Sequence, residues 1–318
     1  MEIKSSDISV VVQGKIYAHI TKKCLESIRK YLPGAEIILS TWKNENLSGL
    51  DYDELVLSDD IGAGSIDSLG VVNNYNRQIV SSKRGVGKAT KNYILKIRSD
   101  MYLINNSFLV IYGEYASGAI IFGKRILVGD FYTRNPRVIP MPYHISDWFF
   151  FGQKKDVFDY VESAKLQSKV DDEWFLYHKN KNKFFKNMLT RYAPEQYFCL
   201  SFFSRFYDLT CLDYADNSDM NINLTEEIIA QNFIVVDSLK SGFKFTKYNP
   251  NRFKERLSLL GFREWLFLYN HYVRGQSLLL YKIICIYRKV IYFYIRRGFS
   301  MIFDFLHIKK YIRELLSR

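Results

Sequence analysis

Proline, glycine and cysteine are all scarce in this chain, and no long uncharged apolar run occurs. Only 6 Pro and 17 Gly stand among 318 residues, which argues against a loop-rich secreted scaffold. The 4 cysteines are far apart and lack zinc-ligand spacing, so we expect buried, reduced thiols. Without a stretch of about 18 uncharged apolar residues, no conventional membrane-spanning helix is expected. The first residues also lack a signal-peptide apolar segment, and we therefore expect a cytoplasmic protein.

What the chain has in quantity is aromatic residues and positive charge. Hydrophobic residues make up 48%, aromatic residues 16% and charged residues 25%, which is typical of a globular protein and not of a disordered or fibrous one. The formal net charge is +12, of which residues 277–318 carry +7 and the remainder +5. Such a charge suits nucleic acid, an anionic membrane or a nucleotide as partner.

Hydrophobic patterning predicts an α/β fold with a mixed, mainly parallel central sheet flanked by helices. A strand, a helix and a second strand at 8–12, 21–31 and 36–42 imply a parallel βαβ unit. Further strands are predicted at 54–57, 93–98, 119–128, 147–152 and 233–248. Helices are predicted within 73–93 and at 154–165, 171–179, 194–203 and 251–272. We expect a catalytic domain over 1–276, with halves at about 1–105 and 106–276, followed by a helical tail.

Ligands of open α/β sheets bind at the carboxyl ends of the strands, and polar residues follow four predicted strands here. They are Gln13 and Gly14, Thr41 and Trp42, Asp59 and Asp60, and Ser99 and Asp100. A carboxylate such as Asp100 at the end of a buried strand needs a partner or a metal ion. The alternative is that it caps the next turn. No GxGxxG or GxxxxGK[ST] motif occurs, which weakens a dinucleotide-oxidoreductase or P-loop interpretation.

A polar segment between the third and fourth strands carries a second group of candidates. Its residues Asn76, Arg77, Gln78 and Lys83 follow near-helical spacing. A diphosphate attracts such cations, and arginine can hold it bidentately. The alternative is a solvated helix face.

The tail, residues 277–318, combines positive charge with a broad apolar surface. Lys282, Lys289 and Arg296 share one helix face, and Ile291 lies among the isoleucines of the opposite face. We expect a break at Gly298 and a second amphipathic segment at 301–316. Basic amphipathic helices bind anionic membranes at the headgroup level. The alternative is a pair of helices packed on the catalytic domain. Nucleic acid is disfavoured as a partner, because no recognised nucleic-acid module is present.

Six segments in order resemble the WavE family of lipopolysaccharide-synthesis proteins. They are residues 11–14, 27–42, 76–83, 95–100, 144–152 and 194–197. The resemblance extends from about residue 8 to residue 205. It implies a GT-A-like nucleotide-binding fold and a glycosyltransferase that takes a nucleotide sugar as its donor. It also implies a lipid-linked or oligosaccharide acceptor.

The resemblance also implies roles for particular residues. Arg98-Ser99-Asp100 stands where GT-A enzymes keep an Asp-x-Asp metal motif, so Asp100 is expected to ligate Mn²⁺ or Mg²⁺, with His144 completing the metal or phosphate site. Arginine replaces the first carboxylate here and is itself able to neutralise phosphate. Glu195 is expected to be the general base, and Asp147 is the other candidate.

These inferences favour sugar transfer to a lipid-linked glycan in lipopolysaccharide, capsule or O-antigen synthesis. The expected location is the inner face of the cytoplasmic membrane. One alternative is a polyol-phosphate transferase that acts on the same kind of acceptor. The other is a nucleotide-binding membrane module that has lost its chemistry.

Overall fold

The computed structural model describes residues 3–180, 185–246 and 253–297. Its main sheet has seven strands in the order β3-β2-β1-β4-β7-β6-β8, and β5 pairs with β9 in a second, small sheet. The strands are β1 Ile8–Gln13, β2 Glu36–Trp42, β3 Glu54–Ser58, β4 Tyr93–Arg98, β5 Met101–Leu103, β6 Ile126–Gly129, β7 Phe149–Gln153, β8 Phe233–Val236 and β9 Phe243–Phe245.

The main sheet is parallel except at β7. Strands β3, β2, β1 and β4 run parallel to one another, as do β6 and β8, while β7 pairs antiparallel with both β4 and β6. The predicted mixed, mainly parallel α/β sheet is therefore confirmed. Because β7 runs in the opposite direction, its beginning lies beside the end of β4, with Phe149 opposite Ile97.

Helices cover the sheet and follow the sequence predictions to different extents. They are α1 Ala18–Tyr31, α2 Tyr75–Val86, α3 Phe108–Tyr115, α4 Lys154–Ser163, α5 Lys169–Asp172, α6 Trp174–Tyr177, α7 Pro194–Phe203, α8 Asp219–Asn232, α9 Phe253–Ser258, α10 Phe262–Tyr272 and α11 Leu279–Arg297. Strand 36–42 and helix 194–203 are found at their predicted bounds. Of the predicted strand 119–128, only the end is a strand. None of the helices within the described ranges is long and apolar enough to cross a membrane.

Helix α2, which carries Arg77 and Gln78, packs closely on the sheet because Gly85 has no side chain. A Cβ at Gly85 would lie 2.5 Å from Val11 Cγ1 and 2.9 Å from Ser40 Cβ. One turn earlier in the helix, Ser81 Oγ donates a hydrogen bond to Gln13 Oε1 at 2.6 Å. These contacts fix α2 against β1 and β2, at the edge where those strands end.

The first helix of the tail, α11, packs on the fold along one face. Tyr281, Cys285 and Tyr292 are buried on it, and Arg288 Nη1 lies 2.9 Å from Glu264 Oε1 of α10. Another face is exposed and includes Ile291 and Ile295. The described part of the tail thus packs on the core. The predicted domain boundary after residue 276 stays a prediction. Gly298 and the predicted segment 301–316 lie outside the described residues.

All four cysteines are free and buried. Cys24, Cys199, Cys211 and Cys285 lie in the apolar core. Burial raises the pKa of the Cys285 thiol to about 11 and raises the pKa of the other three thiols as well. The prediction of buried, reduced thiols is consistent with this environment.

Candidate functional site

A cleft of about 380 Å³ opens at the carboxyl edge of the sheet, where β1, β2 and β4 end. The lining residues are Gln13, Gly14, Lys15, Tyr17, Trp42, Glu45, Asp60, Asn74, Arg77, Gln78, Arg98, Ser99 and Asp100. Nine of the candidates named from the sequence are among them, namely Gln13, Gly14, Trp42, Asp60, Arg77, Gln78, Arg98, Ser99 and Asp100. The position is the one that the strand-end rule indicates for a parallel sheet.

The lining combines three kinds of recognition group. It carries three cations, Lys15, Arg77 and Arg98, and three carboxylates, Glu45, Asp60 and Asp100. The rings of Tyr17 and Trp42 lie in the same lining. Cations suit phosphate oxygens, carboxylates accept hydrogen bonds from hydroxyl groups, and aromatic rings stack on flat ligands. The cleft thus suits a ligand with an anionic part, a hydroxylated part and a ring.

Four of the residues predicted to bind the nucleotide lie elsewhere. Asp59 is exposed and pairs with Lys43 at 2.8 Å, whereas its neighbour Asp60 lines the cleft. Asn76 bonds to the backbone of Gln167. Lys83 lies 3.6 Å from Glu162 of α4, and Thr41 is buried on β2. None of these four is among the residues that line the cleft.

Arg98 and Asp100 form a bidentate pair inside the cleft. Arg98 Nε donates to Asp100 Oδ1 at 2.8 Å, and Nη2 donates to Oδ2 at 2.7 Å. The guanidinium also lies 4.3 Å from the centroid of the Trp148 ring. Asp100 is 3% exposed, whereas the Arg98 side chain is 26% exposed. Arg98 is therefore the member of the pair that a ligand meets first.

Asp147 lies behind the cleft lining, just before β7. Its Oδ2 accepts a hydrogen bond from Gln78 Nε2 at 2.6 Å, and its backbone oxygen accepts one from the fully buried Lys96. Burial and the charge of Glu195 raise the pKa of Asp147 to about 6, although Lys96 and Arg98 oppose the shift. Burial lowers the pKa of Lys96 to about 8. The antiparallel pairing of β7 with β4 brings these groups together.

Glu195, at the start of α7, faces His144. Glu195 Oε2 lies 3.5 Å from His144 Nε2, and His144 Nδ1 lies 2.7 Å from the Tyr132 carbonyl oxygen. Because a carbonyl only accepts, Nδ1 carries the proton and Nε2 turns its lone pair towards Glu195. Burial, with the nearby charge of Arg134, lowers the pKa of His144 to about 3, so the ring is neutral. Burial raises the pKa of Glu195.

This geometry makes Glu195 a suitable proton acceptor. When Glu195 is ionised, its oxygen faces a lone pair, which is unfavourable. Once Glu195 is protonated, its hydroxyl can donate to His144 Nε2, and that hydrogen bond stabilises the protonated form.

The loop that carries His144 is held in an unusual backbone conformation. Tyr132 has φ 66° and Tyr143 has φ 58°, a region that large side chains rarely adopt. Thr225 and Asn221 of α8 hold Tyr143, through bonds of 3.0 Å to its backbone nitrogen and 2.8 Å to its hydroxyl. Strain of this kind persists where surrounding contacts impose it, and it is frequent at functional sites.

Comparison with known proteins assigns the chain to a family. Residues 8–300 match the family described as WavE lipopolysaccharide synthesis. The chain belongs to the WavE family. A search of curated proteins finds no match. The family connects this WavE chain with lipopolysaccharide synthesis, and its match extends through the described part of α11.

The residues expected to hold a divalent cation are bound to other groups of the WavE chain. Both carboxylate oxygens of Asp100 are bound to Arg98, and His144 faces Glu195 instead of Asp100. Within the described residues, no group of three or more His, Cys, Asp or Glu side chains could hold a metal ion. In this arrangement the residues do not fit a divalent cation, and metal dependence stays a prediction.

Sequence reasoning missed several residues of the WavE site. Lys15 and Tyr17 line the cleft directly after the predicted Gln13-Gly14. The sequence did contain an indication of the role of Lys96, because a charged residue inside the apolar strand 93–98 needs a buried partner. Arg134 influences both His144 and Glu195, but nothing in the sequence places its long loop beside α7.

Proposed function

We propose that this WavE protein is a glycosyltransferase that moves a sugar from a nucleotide-sugar donor to a lipid-linked glycan or oligosaccharide. The observation that carries the proposal is the position of the buried pair Asp147 and Glu195 behind an arginine-containing cleft at the carboxyl edge of the sheet. Sugar transfer needs cations for the departing diphosphate and a base for the acceptor hydroxyl. The site offers both kinds of group.

In this proposal the donor occupies the cleft. Arg98, Arg77 and Lys15 lie where they can bind the diphosphate, and Trp42 offers its ring to the base. Arginine suits this role because its planar fork matches phosphate oxygens bidentately. The exposed side of Arg98 can meet the diphosphate while Asp100 holds the other side of the guanidinium in place.

Glu195 is the proposed general base. It takes the proton of the attacking acceptor hydroxyl, and the oxygen left behind forms the new bond to the anomeric carbon while the nucleoside diphosphate departs. His144 stabilises the protonated carboxyl that results. Asp147 acts beside it as a negative charge that makes Glu195 a stronger base. Neither carboxylate is in the cleft lining itself, so we place the acceptor on the side of Gln78 and Arg98 that faces α7.

The place of action in this proposal is the inner face of the cytoplasmic membrane, with attachment through residues 277–318. The described part of the tail supports this with the exposed Tyr287, Ile291 and Ile295 of α11. Such side chains add apolar contact to the attraction between the tail's charge of +7 and anionic lipids.

A screen of nucleotide sugars tests the proposed reaction. Thermal stabilisation identifies the donor, and hydrolysis of that donor in the absence of acceptor identifies the chemistry. Free sugar and nucleoside diphosphate are the expected products. Release of a polyol phosphate from a polyol-phosphate nucleotide would instead indicate the phosphotransferase. Binding without turnover, even with a lipid-linked acceptor extract, would indicate a non-catalytic module.

A further inference from the structure

Exposed apolar side chains concentrate in two short segments that lie beside the cleft. Within the described residues, 23 large hydrophobic side chains are exposed, and nine of them fall in residues 61–72 and 166–177. Among these nine, the most exposed are Leu69 at 72% and Tyr177 at 75%. Single exposed apolar residues are ordinary, but a concentration of this kind indicates an interaction surface.

Residues 66–72 form a small projecting hairpin, which we name the 66–72 finger. Ile66 and Val72 form an antiparallel bridge at its base, and Gly70, with φ +76° and open space around its Cβ direction, makes the turn at the tip. Asp67 Oδ1 accepts hydrogen bonds from the backbone nitrogens of Leu69 and Val71, each at 2.9 Å. Two backbone N–H groups of the finger thus have their hydrogen-bond partner within the finger itself. Its apolar side chains are exposed.

The second segment is joined to the finger by a clasp around Asp172. The Asp172 carboxylate accepts from the Ser65 backbone nitrogen at 2.7 Å, from Ser65 Oγ at 2.8 Å and from Asn73 Nδ2 at 2.7 Å. Further along, Ser68 Oγ donates to Asn187 Oδ1 at 2.9 Å. The two apolar segments therefore lie side by side and can meet one partner together.

The finger is also tied to the cleft. Its loop leaves the cleft at Asp60 and returns to it at Asn74. Arg77 bonds to both ends, with Nε 2.7 Å from Asp60 Oδ1 and Nη1 2.9 Å from Asn74 Oδ1. A partner that binds the finger is consequently held next to the opening of the cleft.

Positive charge surrounds the second segment. Lys165, Lys169, Lys179 and Lys186 are exposed, and no ion pair between described residues involves any of them. Asp171 lies 3.5 Å from Arg191 Nη1, whereas Asp172 keeps its negative charge, because its partners Ser65 and Asn73 are neutral. By sequence, residues 165–186 carry six lysines against Asp171, Asp172 and Glu173, a formal charge of +3. The segment is therefore positive overall.

From these observations we infer that the 66–72 finger and residues 165–180, together with Lys186, form a docking surface for an anionic phospholipid bilayer. Apolar side chains enter the headgroup region, and the lysines meet the lipid phosphates. A second copy of the chain fits less well, because a two-fold contact would bring the same lysine-rich surface of both copies together. This surface is separate from α11, and it does not depend on sugar transfer.

Vesicle binding by the full chain tests the inference without any substrate. Mixed phosphatidylcholine–phosphatidylglycerol vesicles are compared with phosphatidylcholine vesicles at several salt concentrations. The test variant is Leu69→Asn with Val71→Asn, and the matched control is Val110→Asn with Ile120→Asn, which changes two equally exposed apolar residues elsewhere. Melting curves show that each variant remains folded.

The expected result is that the finger variant binds anionic vesicles about tenfold or more weakly, whereas the control binds as the wild type does. Changing Lys165, Lys169 and Lys179 to glutamine should weaken binding chiefly at low salt. Binding that is unaffected by all these changes, but lost in Ile291→Asn with Ile295→Asn, would assign attachment to α11 alone and overturn the inference. The inference would also be overturned if the wild type did not bind vesicles, or if it formed a dimer through the finger.

Discussion

Arg98 holds Asp100 through two parallel hydrogen bonds of 2.8 and 2.7 Å, although only Ser99 separates them in the chain. The pair occupies the end of β4, where the resemblance described above led us to expect a metal-binding carboxylate. A guanidinium with one carboxylate on one side and an open cleft on the other is a fixed positive charge. In the proposed function, that charge is the site's most direct means of binding the diphosphate of the donor.

Replacing Arg98 by glutamine should therefore weaken nucleoside diphosphate binding by about tenfold or more, since hydrogen bonds to charged groups contribute about 1.5–3 kcal/mol each. Titration calorimetry with a panel of nucleoside diphosphates measures the effect. Arg29→Gln is the matched control, because Arg29 also makes paired bonds, to Asp51 and Asp53, but does not line the cleft. Equal losses in both variants would point to a general effect of charge.

Divalent cations should have little influence on that binding in the wild type. With both Asp100 oxygens bound to Arg98, the affinity measured in EDTA should lie within about threefold of the affinity in Mn²⁺, a difference below 1 kcal/mol. In Arg98→Gln the carboxylate is released, and a Mn²⁺ effect should then emerge. A strong Mn²⁺ requirement in the wild type would show that Asp100 leaves Arg98 to ligate metal.

Glu195→Gln should lower kcat by about 10²–10⁴-fold and leave the donor Kd nearly unchanged, because a positioned base acts on the acceptor proton. Steady-state kinetics with the donor identified by the screen gives kcat, and calorimetry gives Kd. The control is Glu173→Gln, between α5 and α6. If only the acceptor KM rises, Glu195 binds the acceptor and Asp147 becomes the candidate base.

Activity should fall as the pH drops through about 6, where Asp147 takes up a proton. Above that pH, the ionised Asp147 repels negative charge on Glu195 and makes it a stronger base; below it, this effect is lost. In Asp147→Asn the acid limb of the kcat/KM profile should move to lower pH, because only Glu195 then titrates, and the plateau should be lower. A limb that stays near pH 6 in this variant would belong to another group.

The packing of α11 predicts that the tail contributes to stability. Tyr281 is fully buried, so Tyr281→Ala should reduce the free energy of unfolding by about 3 kcal/mol. Tyr287→Ala, at a position 47% exposed on the same helix, should change it by less than about 0.5 kcal/mol. Denaturant titration compares the two. If both variants changed the free energy of unfolding by similar small amounts, α11 would contribute no more stability than a surface helix does. That result would support the sequence-based prediction of a separate tail.

The sequence predicted the first four strands and their ends well, because apolar runs and their boundaries are local properties. It could not predict the rotation of α2, since Asn76, Arg77 and Gln78 are all polar and any of them could face the cleft. The structure turns Arg77 and Gln78 to the cleft and Asn76 to Gln167. The choice of Asp60 over Asp59 is of the same kind, because both follow one strand and only tertiary contacts distinguish them.

The sequence also could not predict that Arg98 pairs with Asp100. Two neighbouring polar residues at a strand end can bind one another, a metal ion or the ligand, and spacing alone does not select among these. By contrast, Glu195 and Asp147 were candidates from their positions at element starts, and the structure brings both to one buried region through β7 and α7. Their catalytic roles stay predictions.

The environment of the four cysteines makes site-specific labelling straightforward. Thiol reagents attack the thiolate, and burial both raises the pKa of these thiols and shields them. The native chain should accordingly give a low background with maleimides, with no need to remove any cysteine. A single cysteine introduced by Leu69→Cys could then carry an environment-sensitive fluorophore, whose emission would report how deeply the tip of the finger enters a lipid surface.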